Sequence, residues 1–234
     1  MLPDLTPGLT QDSTGHPLTI NRIAPFQMRS INQGRLPGQA RPRRDAPMHI
    51  CPTTLSGVFH IEPTPYRDDR GLFSRLYCPD EFATAGIRLP QPFQINLSRN
   101  PFIRTLRGMH VQMEPHGEAK LVRAVRGRAY DVVIDLRRDS QHYLRWISVL
   151  LDAEAMNAVF IPPGCAHGFL TLQADTDILY QISPPYEPGH LRGLRWDDPA
   201  IAIDWPATPA LLDARDARWP DWAPEDATMD TPRI

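Results

Sequence analysis

From Ile50 to about Ile203 the chain is a succession of short β-type runs, each closed by Gly, Pro, Asn or Asp, and this repetition constrains the fold more than any other feature. Ser56 to Ile61, Leu72 to Tyr77, Phe93 to Leu97, Ile103 to Val111, Ala119 to Val125, Ala129 to Leu136, Trp146 to Leu150, Ala158 to Ile161, His167 to Leu172 and Ile178 to Ile182 all read as strands. Many short strands at close spacing predict an all-β sandwich or barrel. Helical signals are few: Pro79 to Ala85 begins on a proline, and Ala207 to Arg215 reads as a second short helix.

A chain of 234 residues supports one substantial core, so a single domain is expected at about residues 48 to 220. Residues 1 to 47 carry seven prolines, one aromatic (Phe26) and six arginines diluted by Asp4, Asp12 and Asp45. Such a stretch buries too little apolar surface to offset its ordering entropy, and a disordered leader is expected, with Met48 as an alternative translation start. Its protection from trypsin would contradict that expectation. The Pro- and Asp-rich stretch from Trp219 is expected to pack loosely, with a flexible tail from 221 to 234.

A net charge of -2 provides no broad basic field, which argues against nucleic acid or an anionic membrane as partner and for a small molecule. Cys51, Cys78 and Cys165 are odd in number and form no C-x-x-C pair, which fits a reducing cytoplasm better than a disulfide framework. No run approaches the ~18 apolar residues that span a bilayer.

Dinucleotide turns, Walker loops and nucleophile elbows are absent, so bound NAD, ATP chemistry and serine hydrolysis are not expected. Pro162-Pro163-Gly164-Cys165-Ala166-His167 follows a strand and matches the P-x-G-x-x-H turn of the second cupin motif. Upstream, Arg107-Gly108-Met109-His110-Val111-Gln112 puts His110 and Gln112 on one face of a strand. The fold expected is therefore a jelly roll, the double-stranded β-helix of cupins, with a few short helices. Metal-binding cupins offer His-x-His, because borderline divalent metals favour several imidazoles. His-x-Gln here weakens that reading, although Glu114 and His116 could reach inward from a loop.

Gln94-Ile95-Asn96-Leu97-Ser98, Leu106 to Gln112, Ala119 to Arg123, Gly127, Asp131 to Arg137, Ile161 to Phe169, Trp196-Asp197-Asp198-Pro199 and Asp204-Trp205-Pro206 occur in the order found in dTDP-4-dehydrorhamnose 3,5-epimerases. The chain closely resembles that family from about Ser56 to Asp216. The resemblance implies a homodimer with a shared N-terminal strand, no cofactor and no metal. It also implies a nucleotide-linked 4-keto-6-deoxy sugar as substrate, in deoxysugar supply for polysaccharide or a glycosylated metabolite.

Epimerisation beside a ketone needs a base on one face of the carbon, a holder for the enolate and an acid on the other face. An imidazole titrates near neutrality, and His110 matches the family's proton acceptor. By the same resemblance Asp216, in Leu212-Asp213-Ala214-Arg215-Asp216, orients His110. Lys120, the only lysine in an arginine-biased chain, falls at the family's substrate lysine and suits an oxyanion as a point charge. Tyr180 matches the proton donor. His167 and Asp131 correspond to a second histidine–carboxylate pair at the substrate, with Gln94 and Asn96 in the same site. Tyr186 matches an aromatic that stacks on the base, and Arg70, Arg107 and Arg215 would grip the diphosphate. A single-centre epimerase on another nucleotide sugar, a metal-dependent cupin and a non-catalytic sugar-nucleotide binder are the alternatives.

Two positions and one short region depart from the family pattern. Arg75 stands where Arg-Gly-Phe-Phe-x-Glu has its nucleotide-contacting glutamate, Ile95 replaces an Asp or Thr, and His190, Leu191 and Arg192 occupy a region where an acid is expected after Pro188. All three bear on the nucleotide and sugar rather than on the acid–base set.

Overall fold

The computed structural model describes residues 46–89, 93–187 and 189–222. The expected leader therefore lies almost wholly outside the described residues, as does the tail beyond Trp222. Among the described residues fourteen strands follow one another: β1 (His49–Pro52), β2 (Phe59–Glu62), β3 (Tyr66–Asp68), β4 (Gly71–Phe73), β5 (Gln94–Asn100), β6 (Thr105–Gln112), β7 (Ala119–Arg126), β8 (Arg128–Asp135), β9 (Trp146–Asp152), β10 (Ala158–Ile161), β11 (Cys165–Thr171), β12 (Thr176–Ser183), β13 (Leu191–Gly193) and β14 (Leu211–Leu212). The α-helix among the described residues, α1 (Pro79–Thr84), starts on Pro79, whose missing N–H costs nothing at a helix N-terminus. Among the described residues no helix is long and apolar enough to cross a membrane.

Two antiparallel sheets face each other in a jelly roll. The first runs β1-β2-β10-β7-β12-β5 and the second β13-β6-β11-β8-β9, with β14 parallel to β6; β3 and β4 form a separate hairpin. Val122, Val133, Phe169 and Ile178 fill the space between the sheets. Outer faces are covered too: Leu121 and Phe160 pack under Phe82 and Ile87, while Met109 and Ile134 pack under Leu194, Ile201 and Trp222. Burial on both faces explains why β10 and β11 are continuous buried runs without polar alternation.

Several sequence expectations change. Ala207 to Arg215 is not helical: Leu211 and Leu212 pair with Thr105 and Leu106, so an open sheet edge overrides a weak helix propensity. The only helical turn there is a 3-10 turn at Asp216–Arg218. The expected strand from Leu72 to Tyr77 stops at Phe73, where its single partner strand ends, and the Leu76 carbonyl instead accepts the buried Arg123 guanidinium (2.7 Å). Burial pulls that guanidinium down to about 10. Asp221 and Trp222, assigned to the tail, are held: Asp221 pairs with Arg195, and buried Trp222 donates its backbone N–H to Asp198 (2.5 Å) and its indole N–H to the Tyr143 hydroxyl (3.1 Å).

Candidate active site

β6 and β11 lie side by side, with His110 and His167 as register partners. Between them the backbones approach so closely that side chains would not fit. A Cβ on Gly108, whose φ is +123°, would lie 2.6 Å from the Gly168 Cα, and one on Gly168 would lie 2.8 Å from the Arg107 carbonyl oxygen. Only glycine at both positions permits this contact, which brings the two imidazoles to one wall of a cavity.

That cavity, about 280 Å³, is lined by Asn96, Leu97, Ser98, Arg107, His110, Lys120, His167, Phe169 and Tyr180. Six of the sequence-predicted residues are thus brought together. β6 and β11 supply the histidines from the second sheet, whereas β5, β7 and β12 supply Asn96, Lys120 and Tyr180 from the first. Tyr180 stands edge-on to His167, ring centroids 6.3 Å apart.

Two carboxylates back the two histidines. Asp216, on the turn after β14, takes His110 Nε2 at 2.8 Å and the Gly108 N–H at 3.1 Å, while His167 Nε2 meets Asp131 at 2.7 Å. In both pairs Nε2 is occupied, leaving Nδ1 as the other imidazole nitrogen. Although burial opposes its charge, these donors hold the Asp216 carboxyl below the usual range. Asp131 is pushed up by burial, only partly offset by His167 and Lys120. Burial also drives the Tyr180 phenol well above its ordinary range, against a hydrogen bond from Ser98 and the charge of Arg107. Lys120 is buried and pairs with Glu118 at 2.9 Å.

The remaining predicted residues lie further out. Gln94 donates to Asn96 Oδ1 (2.9 Å) and accepts the Tyr186 N–H (3.2 Å), extending the site along β5 toward the exposed Tyr186 ring. Arg215 is mostly exposed and reaches Asp216 at 3.4 Å. Arg70 is not in this cavity: it sits on the β3–β4 hairpin, paired with Asp68, with a side chain 74% exposed. Gln112 faces loops, donating to the His116 carbonyl and accepting from the Glu187 N–H, and the His116 ring lies tilted against His190, centroids 4.0 Å apart. Arg75 pairs with Glu81 of α1 at 2.5 Å.

Ser98, Phe169 and Glu118 were not anticipated. Two-residue periodicity would have found the first pair, since Ser98 follows Asn96 and Phe169 follows His167 on the same strand face. Nothing in the sequence marked Glu118.

The family model described as dTDP-4-dehydrorhamnose 3,5-epimerase matches residues 52–224. A Sinorhizobium fredii protein named dTDP-4-dehydrorhamnose 3,5-epimerase is 40% identical over 176 residues, covering 74% of this chain and 89% of its own length. A Streptomyces niveus dTDP-4-dehydrorhamnose 3-epimerase is 38% identical over 170 residues, covering 72% of this chain and 81% of its own. Among solved structures, the Bacillus anthracis dTDP-4-dehydrorhamnose 3,5-epimerase with TDP and pyrophosphate bound superposes with a TM-score of 0.71 at 34% identity, covering 74% of this chain and 98% of that one.

Proposed function

Since the chain belongs to the dTDP-4-dehydrorhamnose 3,5-epimerase family and is an isomerase of a dTDP-linked 4-keto-6-deoxy sugar, we propose that His110 is the base that removes the proton beside the ketone and Tyr180 the acid that returns one from the opposite side. The observation that carries this reading is their placement on opposed sheets across one cavity. Proton transfer from carbon goes to His110 Nδ1, because Asp216 holds Nε2. The electron pair released from the C–H bond becomes the enolate, whose oxygen is met by the Lys120 ammonium and by His167. Tyr180 keeps its proton until the enolate has formed and then gives it to the face opposite His110, and the phenolate so formed lies near Arg107 and Ser98. Exchange with water returns both groups to their starting states.

The sugar occupies the cavity and the nucleotide runs along β5 toward Tyr186, with Arg107 and Arg215 at the diphosphate. A homodimer supplies what one chain lacks. Ile95 and Leu97 are 56% and 54% exposed on the edge strand β5, and the hairpin carrying Arg70 exposes Leu72 and Phe73. Burying these residues against a second copy would bring Arg70 to the partner's diphosphate. Free Cys51, Cys78 and Cys165 support a cytoplasmic location.

The Streptomyces niveus relative keeps a second reading open, inversion at a single centre. NMR of dTDP-4-keto-6-deoxyglucose incubated with the protein in deuterated water, alongside GDP and CDP analogues, tests both. Deuterium at C3 and C5 is expected; deuterium at C3 alone supports the single-centre reading, and its absence from every substrate sinks the enzymatic one.

A further inference from the structure

The carboxylate behind His110 sits on a strap that follows the last strand of either main sheet, and the strap is fastened on both sides of it. Upstream, Leu211 and Leu212 pair with β6. Downstream, the Pro220 carbonyl accepts the Arg195 N–H and Trp222 is bonded to Asp198. Between these anchors the Trp219 ring lies flat on Gly193, where a Cβ would come within 2.2 Å of the indole, and Gly193 is the register partner of His110. The Trp219 indole N–H points to Asp216 Oδ1 at 3.3 Å, the oxygen that also takes His110.

Building on His110 as the base, we infer that Trp219 is a positioning residue, whose indole N–H and ring fix Asp216 and so set how tightly His110 holds the proton it abstracts. Asp216 Oδ1 is shared by three donors: His110 at 2.8 Å, Trp219 at 3.3 Å and the Arg215 guanidinium at 3.4 Å. Oδ2 takes the Gly108 N–H. Each donor draws negative charge away from the imidazole. Without the indole N–H, Oδ1 holds the imidazolium more strongly and His110 releases its proton less readily. The other ionisable groups lining the cavity with His110 are Arg107, Lys120, His167 and Tyr180, and β13 contributes only Gly193 opposite it in the ladder. A change confined to Trp219 leaves all of these in place.

Trp219→Phe keeps a ring over Gly193 and removes the donor, whereas Trp219→Ala also empties the seat. Deuterium exchange into dTDP-4-keto-6-deoxyglucose is measured against pH for both, with thermal melts and with His110→Asn alongside. For Trp219→Phe the expected result is a kcat lowered about threefold to tenfold, the effect of one hydrogen bond. KM should be nearly unchanged, and the acid limb of the profile should move to higher pH. Trp219→Ala should lose more activity and melt lower. A Trp219→Phe profile superimposable on the wild type, with unchanged kcat, overturns the inference whatever Trp219→Ala does, because packing alone then accounts for the residue. Normal exchange by His110→Asn instead overturns the assignment of the base, a separate failure.

Discussion

His110 with Asp216 and His167 with Asp131 are the same chemical pair built twice, on neighbouring strands and in register, yet the protein treats them differently. Asp131 comes from β8 inside the sheet, is fully buried, and has one carboxylate oxygen without a hydrogen-bond partner. Asp216 comes from outside the sheets, receives four donors and is held ionised. The His110 side chain is 23% exposed at the cavity and that of His167 only 5%. A base that must take a proton needs a partner that stays anionic throughout. A residue that only has to present a donor can be paired with a carboxyl whose ionisation is opposed. On the proposed roles, surroundings rather than residue type separate the two histidines.

The most severe way to break this comparison is to remove each imidazole in turn. His110→Asn should abolish solvent exchange, a loss of about 10²- to 10⁴-fold or more, whereas His167→Asn should leave measurable exchange with a raised KM. Equal loss from both would erase the distinction. Asp216→Asn should follow closely, because the amide oxygen can still accept from His110 but carries no charge to steady an imidazolium, and single-turnover exchange should fall far more than substrate affinity. Gly168→Ala attacks what the pairs share: its Cβ would meet the Met109 sulfur at 2.5 Å and the Arg107 carbonyl at 2.8 Å. The expected cost is about 1–3 kcal/mol, seen as a lower melting temperature together with impaired exchange.

The smallest effect is the most discriminating, because the two carboxylates have opposite linkage to pH. Asp216 has a depressed folded value, so its stabilisation is present above the unfolded carboxylate value and is lost as pH falls through the folded one. Asp131 has a raised value, so its contribution is complete below the unfolded value and is lost as pH rises through the folded one. Melting curves across the acid range should therefore show wild type losing its advantage over Asp216→Asn on acidification and gaining relative to Asp131→Asn. Slopes of the same sign would contradict the assignment.

Much of this was legible in the sequence, for identifiable reasons. The bounds of β10 coincide with its apolar run, since flanking turn residues cut it cleanly, and the residue types and order of His110, Lys120, His167 and Tyr180 already point to one cluster. Strand periodicity carries such residues to one wall or another. What depends on the path of the chain between elements was not legible. Arg70 rides an exposed hairpin away from the cavity of its own chain, Ala207 to Arg215 yielded to an edge of β6, and Trp219 reaches Asp216 only because the strap crosses β13. Arg75 is a similar case: its reversed charge stood out, but its partner Glu81 belongs to a helix six residues further on.

The lateness of Asp216 in the chain has a consequence for biosynthesis of the protein itself. Every described strand of both sheets precedes Asp216 in the chain, so the sheets can pair during synthesis while His110 still lacks its carboxylate. Activity should appear only after the strap has docked, as a step separable in time from closure of the sheets.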